Sequence, residues 1–438
     1  MIKYQSTRGK SSKIEFSDVV LSGTADDGGL YVPDQNEIDL SSIKNSDYED
    51  LVKGVFISLD KNSERLVNNQ ELYKGFDKEP SPNLVELTEG IYLMELFHGP
   101  TGSFKDYALQ VLGNLVDEQL KSTGEKGLAL VATSGDTGSA AIQGVKDSDN
   151  LEIIVLHPLN KISEYQRKQM TTVDSPNVKN IAVKGDYDDC QRLIKDFFSK
   201  GISDRRLVSL NSINWIRVIA QSSYYVWLAK QIDSVFDVVI PSGNFGNAYS
   251  AWYAKNNGIP IGRIICSTNK NDVLTRFIRS GKLEPQDTFE SVAPSMDIQL
   301  PSSLERLIYD LYDDPSLNES FYNNLYKNGE AILTDEAKDK LDETFLSESF
   351  SDSDIKSSMK SVFSNYGYLP DPHSATSISL AEKEKRGNPI VSIGTASPVK
   401  FQNVVNEVFG TNENDPIELE ENFDIIPNSL SDLEEKII

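Results

Sequence analysis

The stretch Val238-Val-Ile-Pro-Ser-Gly-Asn-Phe-Gly-Asn247 is an apolar run followed by a glycine-containing loop, and a helical pattern begins directly after it. Strand, loop and helix in this order are typical of α/β folds, in which ligands bind beyond the carboxyl ends of the strands. Gly243 and Gly246 allow a tight turn with inward-pointing N–H groups, to which the dipole of the next helix adds. The loop therefore suits a phosphate monoester, although an ordinary strand-to-helix turn has the same pattern.

Further apolar runs are separated from one another by longer helical patterns. Besides the run at 237–240, the predicted strands cover 127–132, 151–156, 264–266 and 389–393. Short buried strands that alternate with helices are typical of an α/β fold with a largely parallel sheet. The sequence therefore predicts the α/β class.

Other parts of the chain differ in composition. Residues 1–85 predict a small opening unit that ends at the proline-rich break Glu79-Pro-Ser-Pro82. Residues 310–362 are polar and acidic but keep helical patterning, so we expect surface helices there rather than disorder. We expect residues 411–438 to form a peripheral acidic tail.

The composition argues against several classes of protein. With 43 Lys and Arg against 67 Asp and Glu, the net charge is −24, whereas a nucleic-acid partner requires surplus basic residues. The 2 cysteines and 3 histidines have no metal-like spacing, so neither a disulfide framework nor a metal site is expected. Neither a signal-peptide stretch nor an apolar run of membrane-spanning length is recognisable, so we expect a reduced, cytoplasmic setting.

Two more loops follow predicted strands and carry hydroxyl groups. Thr133-Ser-Gly-Asp-Thr-Gly138 offers the hydroxyls of Thr133, Ser134 and Thr137 beside helix N-terminal amides, which suits a carboxylate. The same residue types cap helices, and capping alone is the simpler explanation of that segment in isolation. Thr395, after the strand at 389–393, presents a hydroxyl where ligands collect in open α/β sheets.

The stretch His98-Gly-Pro-Thr-Gly-Ser-Phe-Lys-Asp106 places Lys105 after a glycine and proline turn, at the start of a predicted helix. The partial positive charge of a helix N-terminus disfavours a protonated ammonium, and a free amine can form a Schiff base. A solvated lysine is the alternative, because most lysines are exposed. Together with the phosphate loop and the hydroxyl-bearing loops, Lys105 indicates a site for pyridoxal 5′-phosphate.

At these residues the chain resembles the threonine synthase family, whose members are fold-type II enzymes dependent on pyridoxal phosphate. The resemblance covers residues 1 to about 405, and the combination of motifs is more specific than any one of them. The motifs are Gly28-Gly-Leu-Tyr31, His98-Gly-Pro-Thr-Gly-Ser-Phe-Lys-Asp106, Thr133-Ser-Gly-Asp-Thr-Gly138, Leu210-Asn-Ser-Ile-Asn-Trp-Ile-Arg217, Gly243-Asn-Phe-Gly246, Pro294-Ser-Met-Asp297, Asp371-Pro-His-Ser-Ala375 and Gly394-Thr-Ala-Ser-Pro398. It implies a catalytic region over 86–410, with two open, mostly parallel α/β domains around a central cleft, and a family-type N-terminal domain over 1–85.

The resemblance also implies a reaction, in which O-phospho-L-homoserine and water give L-threonine and phosphate by the action of a carbon–oxygen lyase. Lys105 would hold the cofactor covalently and would then move protons at Cα and Cβ of the substrate. Thr395 would face the pyridine nitrogen of the cofactor. The residues expected at the cofactor phosphate are Gly243, Asn244, Phe245, Gly246 and Asn247.

Separate groups would bind the substrate. By resemblance, its phosphate would meet Lys161 and Arg217, with Asn214 nearby. A planar guanidinium suits a pair of phosphate oxygens, although a structural ion pair explains Arg217 equally well. The candidates for the substrate carboxylate are Thr101, Ser134 and Thr137.

Two positions depart from the family pattern. Asp136 stands where many fold-type II relatives have Asn near the cofactor ring, and this change could alter how the ring hydroxyl is held. Asn247 stands where Asp is expected, and the change removes a negative charge beside a phosphate.

Two alternative functions stay open. Another fold-type II lyase, such as a threonine dehydratase or an amino-acid phospholyase, would share the cofactor site, but a dehydratase needs no second phosphate pocket. A non-catalytic protein that binds phosphorylated metabolites would not need the intact Lys105. We expect a monomer or a homodimer, with no nucleic-acid or membrane partner.

Overall fold

The structure is a computed structural model that describes residues 2–35, 38–44, 47–68, 70–133, 135–200, 205–411, 417 and 419–437. The N-terminal elements are β1 (Tyr4–Ser6), α1 (Phe16–Leu21), β2 (Tyr31–Pro33), α2 (Tyr48–Leu59) and α3 (Glu64–Asn68). Strands and helices then alternate as β3 (Asn83–Thr88), β4 (Ile91–Glu95), α4 (Lys105–Thr123), β5 (Gly127–Ala132), α5 (Asp136–Val145), β6 (Leu151–Pro158), α6 (Glu164–Thr171), β7 (Val178–Lys184), α7 (Tyr187–Lys200), β8 (Arg206–Val208), α8 (Trp215–Gln231), β9 (Phe236–Pro241), α9 (Gly246–Asn256), β10 (Ile261–Thr268), α10 (Val273–Ser280) and β11 (Lys282–Leu283). The remaining elements are α11 (Leu304–Tyr312), α12 (Pro315–Asn328), β12 (Ala331–Ile332), α13 (Asp335–Asp342), β13 (Phe345–Ser349), α14 (Asp352–Tyr366), α15 (Pro372–Glu384), β14 (Ile390–Gly394), α16 (Gln402–Phe409), β15 (Asp424–Pro427) and α17 (Leu430–Ile437).

The larger sheet has the strand order β13-β10-β9-β14-β4-β3. Its neighbouring strands are parallel except for β3 and β4, which form an antiparallel pair at one edge. Every residue of β9 and of β14 is buried. Continuous burial is typical of central parallel strands that have helices on both faces.

The smaller sheet has the order β15-β7-β6-β5-β8 and is parallel throughout. The strands predicted at 127–132, 151–156, 237–240, 264–266 and 389–393 correspond to β5, β6, β9, β10 and β14. Two open sheets, one parallel and one largely parallel, with crossover helices confirm the prediction of an α/β fold.

The segments with acidic composition are more integrated than we expected. Helices α12, α13 and α14 occupy the segment 310–362 as predicted, but β13 within it pairs with β10 at the edge of the larger sheet. The expectation of a peripheral tail is wrong for residues 424–437, because β15 extends the smaller sheet beside β7. Ile426, Leu433 and Ile437 are buried there. These apolar residues are spaced among many acidic ones, so composition alone indicated an exposed tail.

Other sequence expectations can be compared with the described residues. No helix within these ranges is both long and apolar enough to span a lipid bilayer. Cys190 and Cys266 are buried free thiols. The described side chains include no group of three or more His, Cys, Asp or Glu arranged to hold a metal ion.

Helices α4 and α5 approach each other so closely that two glycines are required at the crossing. A Cβ atom on Gly113 would lie 2.1 Å from the carbonyl oxygen of Gly144, and one on Gly144 would lie 2.4 Å from that of Leu109. These neighbours are backbone atoms and cannot turn aside as a flexible side chain can. The close approach matters for function, because Lys105 is the first residue of α4 and Asp136 is the first residue of α5.

We predict that Gly144→Ala lowers the free energy of unfolding by about 2 kcal/mol, because the added methyl group forces the two helices apart. Denaturation with guanidinium chloride, followed by circular dichroism, measures the change. Gly387→Ala is the matched control, because a Cβ atom there meets nothing within 4 Å, and its effect should stay within about 0.5 kcal/mol. Equal stability of the two variants would contradict the proposed tight crossing.

Candidate active site

A cleft of about 2010 Å³ is lined by loops that follow strands of both sheets. The loops after β5 and β6 contribute residues from the smaller sheet, and those after β9 and β14 contribute from the larger sheet. Lys105 also lines this cleft. The carboxyl ends of the strands therefore meet at one site, as is usual in open α/β folds.

Lys105 occupies the predicted position at the start of a helix. Its side chain is only 13% exposed, and its Nζ lies 3.2 Å from Oδ2 of Asp136. Burial lowers the pKa of Lys105, the nearby Arg217 and Lys400 lower it further, and Asp136 opposes this shift. The amine is therefore held in an environment that favours its neutral form more than water does.

The loop before Lys105 is held against the loop after β14. Ser103 and Ala396 form an antiparallel bridge, and the N–H of Phe104 donates to the carbonyl oxygen of Thr395 at 2.9 Å. Two motifs far apart in sequence are thereby joined by backbone hydrogen bonds. Thr395, which is 5% exposed, lines the cleft beside Lys105.

Asp136 is a buried carboxylate with four polar neighbours. Its Oδ2 faces Lys105 and accepts from Oγ of Ser295 at 3.0 Å. Its Oδ1 accepts from Nε2 of Gln166 at 2.9 Å and lies 3.2 Å from Nζ of Lys400. Burial alone would raise the pKa of Asp136, but the two facing ammonium groups hold it well below its ordinary value. The carboxylate is therefore charged at neutral pH.

The predicted phosphate loop joins β9 to α9. Gly243 lies so close to Ser295 that a Cβ atom on it would be 2.5 Å from the Ser295 carbonyl oxygen. Phe245 has a left-handed backbone, with φ of 67°, which is strained for an aromatic residue and is common at ligand sites. Its side chain turns into the core, so only its backbone can serve a ligand. Gly246 begins α9, whose N-terminal amides face the cleft.

Asn247 is buried and has one unpaired polar atom. Its Oδ1 accepts from the hydroxyls of Tyr224 and Tyr225, at 2.7 and 2.6 Å. Its Nδ2 has no hydrogen-bond partner among the described residues. A buried donor is costly unless it is paired, so this amide is available to an anion in the cleft.

Arg217, in the first turn of α8, is a buried guanidinium without a carboxylate partner among the residues described. Its Nη1 donates weakly to the carbonyl oxygen of Leu210 at 3.4 Å, and its Nε has no partner there. Burial lowers the pKa of Arg217 to about 10. The alternative of a structural ion pair finds no support in the structure, and Arg217 lines the cleft.

The other predicted substrate residues lie in different places. Lys161 is exposed on the loop after β6, and Thr137 is half-buried in the first turn of α5, and both line the cleft. Thr133 accepts from the N–H groups of Gly135 and Gly138, each at 2.9 Å, which is the capping role considered for that loop. Ser134 lies outside the described residues.

The polar side-chain atoms of two predicted substrate ligands, Thr101 and Asn214, have partners within the fold. Thr101 donates from Oγ1 to Asp106 at 2.8 Å and is 2% exposed. Asn214 caps α8 by accepting from the N–H of Ile216, and its Nδ2 donates to the carbonyl oxygens of Val20 and Ser209. Neither residue lines the cleft. A threonine in a turn and an asparagine before a helix are common structural residues, so the structure gives these two predictions no support.

Sequence reasoning missed several residues at the site. Ser295 and His373 lie in motifs that were recognised but given no role, and the N–H of Ser295 donates to Nε2 of His373 at 3.1 Å. Nδ1 of His373 lies 2.8 Å from Asp371. Lys400 follows the last motif by two residues, and its near-complete burial, with 1% exposed, is not visible in sequence.

These residues fit pyridoxal phosphate. The cleft offers a buried amine at Lys105 for the aldehyde, and the N-terminus of α9 with the unpaired Nδ2 of Asn247 for the phosphate. Thr395 offers a neutral hydroxyl for the ring nitrogen. These groups together are complementary to a ligand that carries both an aldehyde and a phosphate.

Comparison with known proteins agrees with this geometry. A family model described as pyridoxal-phosphate dependent enzyme matches residues 77–320, and one described as threonine synthase N terminus matches residues 3–65. The threonine synthase of Pseudomonas aeruginosa is 36% identical, over 98% of this chain and 97% of that protein.

Solved structures show the same similarity. The crystal structure of PLP-bound threonine synthase from Brucella melitensis has a TM-score of 0.93 and 33% identity, and the match covers 100% of this chain and 99% of that one. The threonine synthase from yeast has a TM-score of 0.91 and 29% identity, with 99% and 98% covered. The chain therefore belongs to the threonine synthase family of pyridoxal-phosphate-dependent enzymes.

Proposed function

We propose that the protein converts O-phospho-L-homoserine and water to L-threonine and inorganic phosphate. Membership of the family supports the reaction class. The observation that carries the choice of substrate is the buried guanidinium of Arg217, which lines the cleft beside Lys105 and lacks a carboxylate partner among the described residues. An unpaired buried cation favours an anionic ligand, and a dehydratase acting on threonine or serine has no phosphate to offer it.

The cofactor site uses the glycine loop and Lys105. Pyridoxal phosphate bound at Lys105 supplies an electron sink that makes the proton at Cα of an amino acid acidic. The backbone of Gly243, Asn244, Phe245 and Gly246, with Nδ2 of Asn247, would hold the cofactor phosphate, and the hydroxyl of Thr395 would serve the ring nitrogen.

Lys105 moves the protons of the reaction. As a neutral amine it would take the proton at Cα of the substrate and then one at Cβ, so that phosphate can leave Cγ. A proton added at Cγ, the hydroxyl of water added at Cβ and a proton returned to Cα then complete L-threonine, while the second proton of the water goes to the departing phosphate. Its buried surroundings lower its pKa, which favours the neutral form relative to a lysine in water.

Arg217 and Lys161 bind the phosphate of the substrate. The planar guanidinium offers two parallel N–H donors to two phosphate oxygens, and the flexible Lys161 adds a point charge from the rim of the cleft. Both stabilise the negative charge that grows on the phosphate as the Cγ–O bond breaks. The hydroxyl of Thr137 and the N–H groups in the first turn of α5 bind the substrate carboxylate.

The predicted setting is cytoplasmic, and the predicted assembly is a monomer or a homodimer. The two buried free thiols fit a reduced compartment. Cell fractionation and light scattering test these two predictions.

We predict that the purified protein releases phosphate from O-phospho-L-homoserine with an equal amount of L-threonine formed. A phosphate assay and chromatographic detection of threonine measure the two products. Formation of a keto acid from threonine or serine, without phosphate release, would instead identify a dehydratase.

We predict that Lys105→Ala abolishes both turnover and the visible absorption that the lysine–cofactor link gives, because no other amine takes its place. Absorption spectra of the two proteins after incubation with pyridoxal phosphate measure the link. Lys356→Ala, which removes an exposed lysine paired with Glu407, is the control and should keep both properties. A coloured, active Lys105→Ala protein would refute the assignment.

We predict that Arg217→Gln lowers kcat/KM for O-phospho-L-homoserine by roughly a hundredfold, because the loss of charge-assisted hydrogen bonds costs about 3 kcal/mol. The cofactor spectrum should stay unchanged. Arg386→Gln is the control, since Arg386 is 70% exposed and distant from the cleft lining. A loss of cofactor binding with unchanged kcat/KM for the fraction that retains it would place Arg217 outside the substrate site.

A further inference from the structure

Lys400 is a buried lysine with three oxygen atoms within 3.2 Å of its Nζ. It lies in a short 3-10 turn, Pro398–Phe401, and its side chain is 1% exposed. Its Nζ donates to the carbonyl oxygen of Thr101 at 2.8 Å and to Oε1 of Gln169, and it lies 3.2 Å from Oδ1 of Asp136. Two of the three N–H donors of the ammonium thus have hydrogen-bond acceptors, and the carboxylate of Asp136 lies within ion-pair distance.

Lys105 is held far less completely. Its Nζ has one hydrogen-bond acceptor among the described residues, Oδ2 of Asp136 at 3.2 Å, and its other close contact is the ring of Phe104 at 4.8 Å. Two ammonium groups thus face the two oxygens of a single carboxylate. With both protonated, the group of three side chains carries a net positive charge in a buried place, which is costly.

The charged form of an ammonium is better compensated at Lys400 than at Lys105. Three oxygen atoms surround Nζ of Lys400, whereas Nζ of Lys105 faces one. In the absence of Lys400, Asp136 would instead favour the charged form of Lys105, because an opposite charge at this distance stabilises an ammonium.

We propose that Lys400 is a positioning residue whose positive charge balances Asp136 and so leaves Lys105 free to act as a neutral amine. Lys400 acts through Asp136 and the electrostatic field, and it makes no contact with Lys105 in the structure. The inference rests on the proposed role of Lys105 as the amine that bears the cofactor.

Other charged or titratable groups face this arrangement from the helices packed around it. Arg217 of α8 adds a positive charge that also lowers the pKa of Lys105. His373 of α15 contributes to the field at Asp136. Asp106 of α4 is bound to Thr101, and its burial raises its pKa to about 6 while Lys400 opposes the rise. Among the positive groups named here, Lys105 and Lys400 lie within ion-pair distance of Asp136.

The test measures the reactivity of the Lys105 amine rather than catalytic turnover. Condensation of this amine with the aldehyde of pyridoxal phosphate releases water and produces visible absorption, and only the unprotonated amine reacts. The full chain is freed of cofactor, and the rate at which absorption returns is measured from pH 6 to pH 10 (roughly the range in which lysines of this kind titrate).

In Lys400→Met, loss of the positive neighbour raises the pKa of Lys105, so we expect the midpoint of the rate profile to rise by about one pH unit. Below the midpoint the fraction of free amine, and with it the rate, then falls about tenfold. In the holoenzyme, the acidic limb of kcat against pH should move in the same direction. Lys356→Met is the matched control and should leave the profile unchanged.

The double variant Lys400→Met with Asp136→Asn distinguishes charge balance from a structural role. Removal of both charges should return the midpoint of the rate profile towards that of the parent protein. If each substitution instead acted by disturbing the structure, their two effects would add to each other. Lys400→Gln keeps a donor for the carbonyl oxygen of Thr101 and serves if the methionine variant does not fold.

An unshifted midpoint of the rate profile in a folded Lys400 variant overturns the inference. So does a double variant whose midpoint is shifted as far as that of Lys400→Met alone. Because the readout is formation of the covalent link, the result does not depend on the substrate. A shifted profile in a protein that forms no threonine would refute the proposed reaction and leave the role of Lys400 standing.

Discussion

The buried carboxylate of Asp136 is the interaction on which the geometry of the site depends. A charge that is out of contact with water is tolerated only when it is paired and hydrogen-bonded. Here the partners come from four parts of the chain, namely Lys105 at the start of α4, Gln166 in α6, Ser295 before α11 and Lys400 after β14. Since loss of any partner leaves a buried charge uncompensated, these segments are energetically coupled. The fold is therefore most constrained where the cofactor amine lies.

The glycine crossing of α4 and α5 makes this pairing possible. Gly113 lies eight residues after Lys105, and Gly144 lies eight residues after Asp136, so the crossing is about 12 Å along each helix from its first residue. The backbones touch there, with no side chains between them. Equal distances from the crossing bring the two helix starts to the same level, at the carboxyl ends of the strands. A wider crossing would separate the amine from its carboxylate, so packing far from the cleft determines the electrostatics within it.

Sequence patterns predicted the parts of this arrangement that depend on local order. The strands β5, β6, β9, β10 and β14, the start of α4 and the glycine loop follow from apolar runs and turn residues that lie next to one another in sequence. The parts that depend on long-range packing were not predictable. Thr101 and Asn214 have the right residue types in the right motifs, but their polar atoms are satisfied by Asp106 and by backbone carbonyl oxygens. The strand β15 was hidden in the same way, because its burial depends on a neighbour, β7, more than 200 residues earlier in the chain.

Two buried arginines show why a ligand site cannot be identified from residue type or burial alone. Arg306 is as buried as Arg217, and burial lowers the pKa of each to about 10. Arg306, however, donates to the carbonyl oxygens of Tyr31 and Ile213 at 3.1 and 2.6 Å, and its guanidinium lies over the ring of Trp215. It links the N-terminal region to α8 and α11, away from the cleft. Arg217 has one long hydrogen bond, an unpaired Nε and a place in the cleft lining. Desolvation has a similar cost for both cations. Arg306 recovers more of this cost than Arg217 does within the described part of the fold, although Nη1 of Arg306 also lacks a partner there. An anionic group of the substrate would compensate the desolvation cost that remains at Arg217.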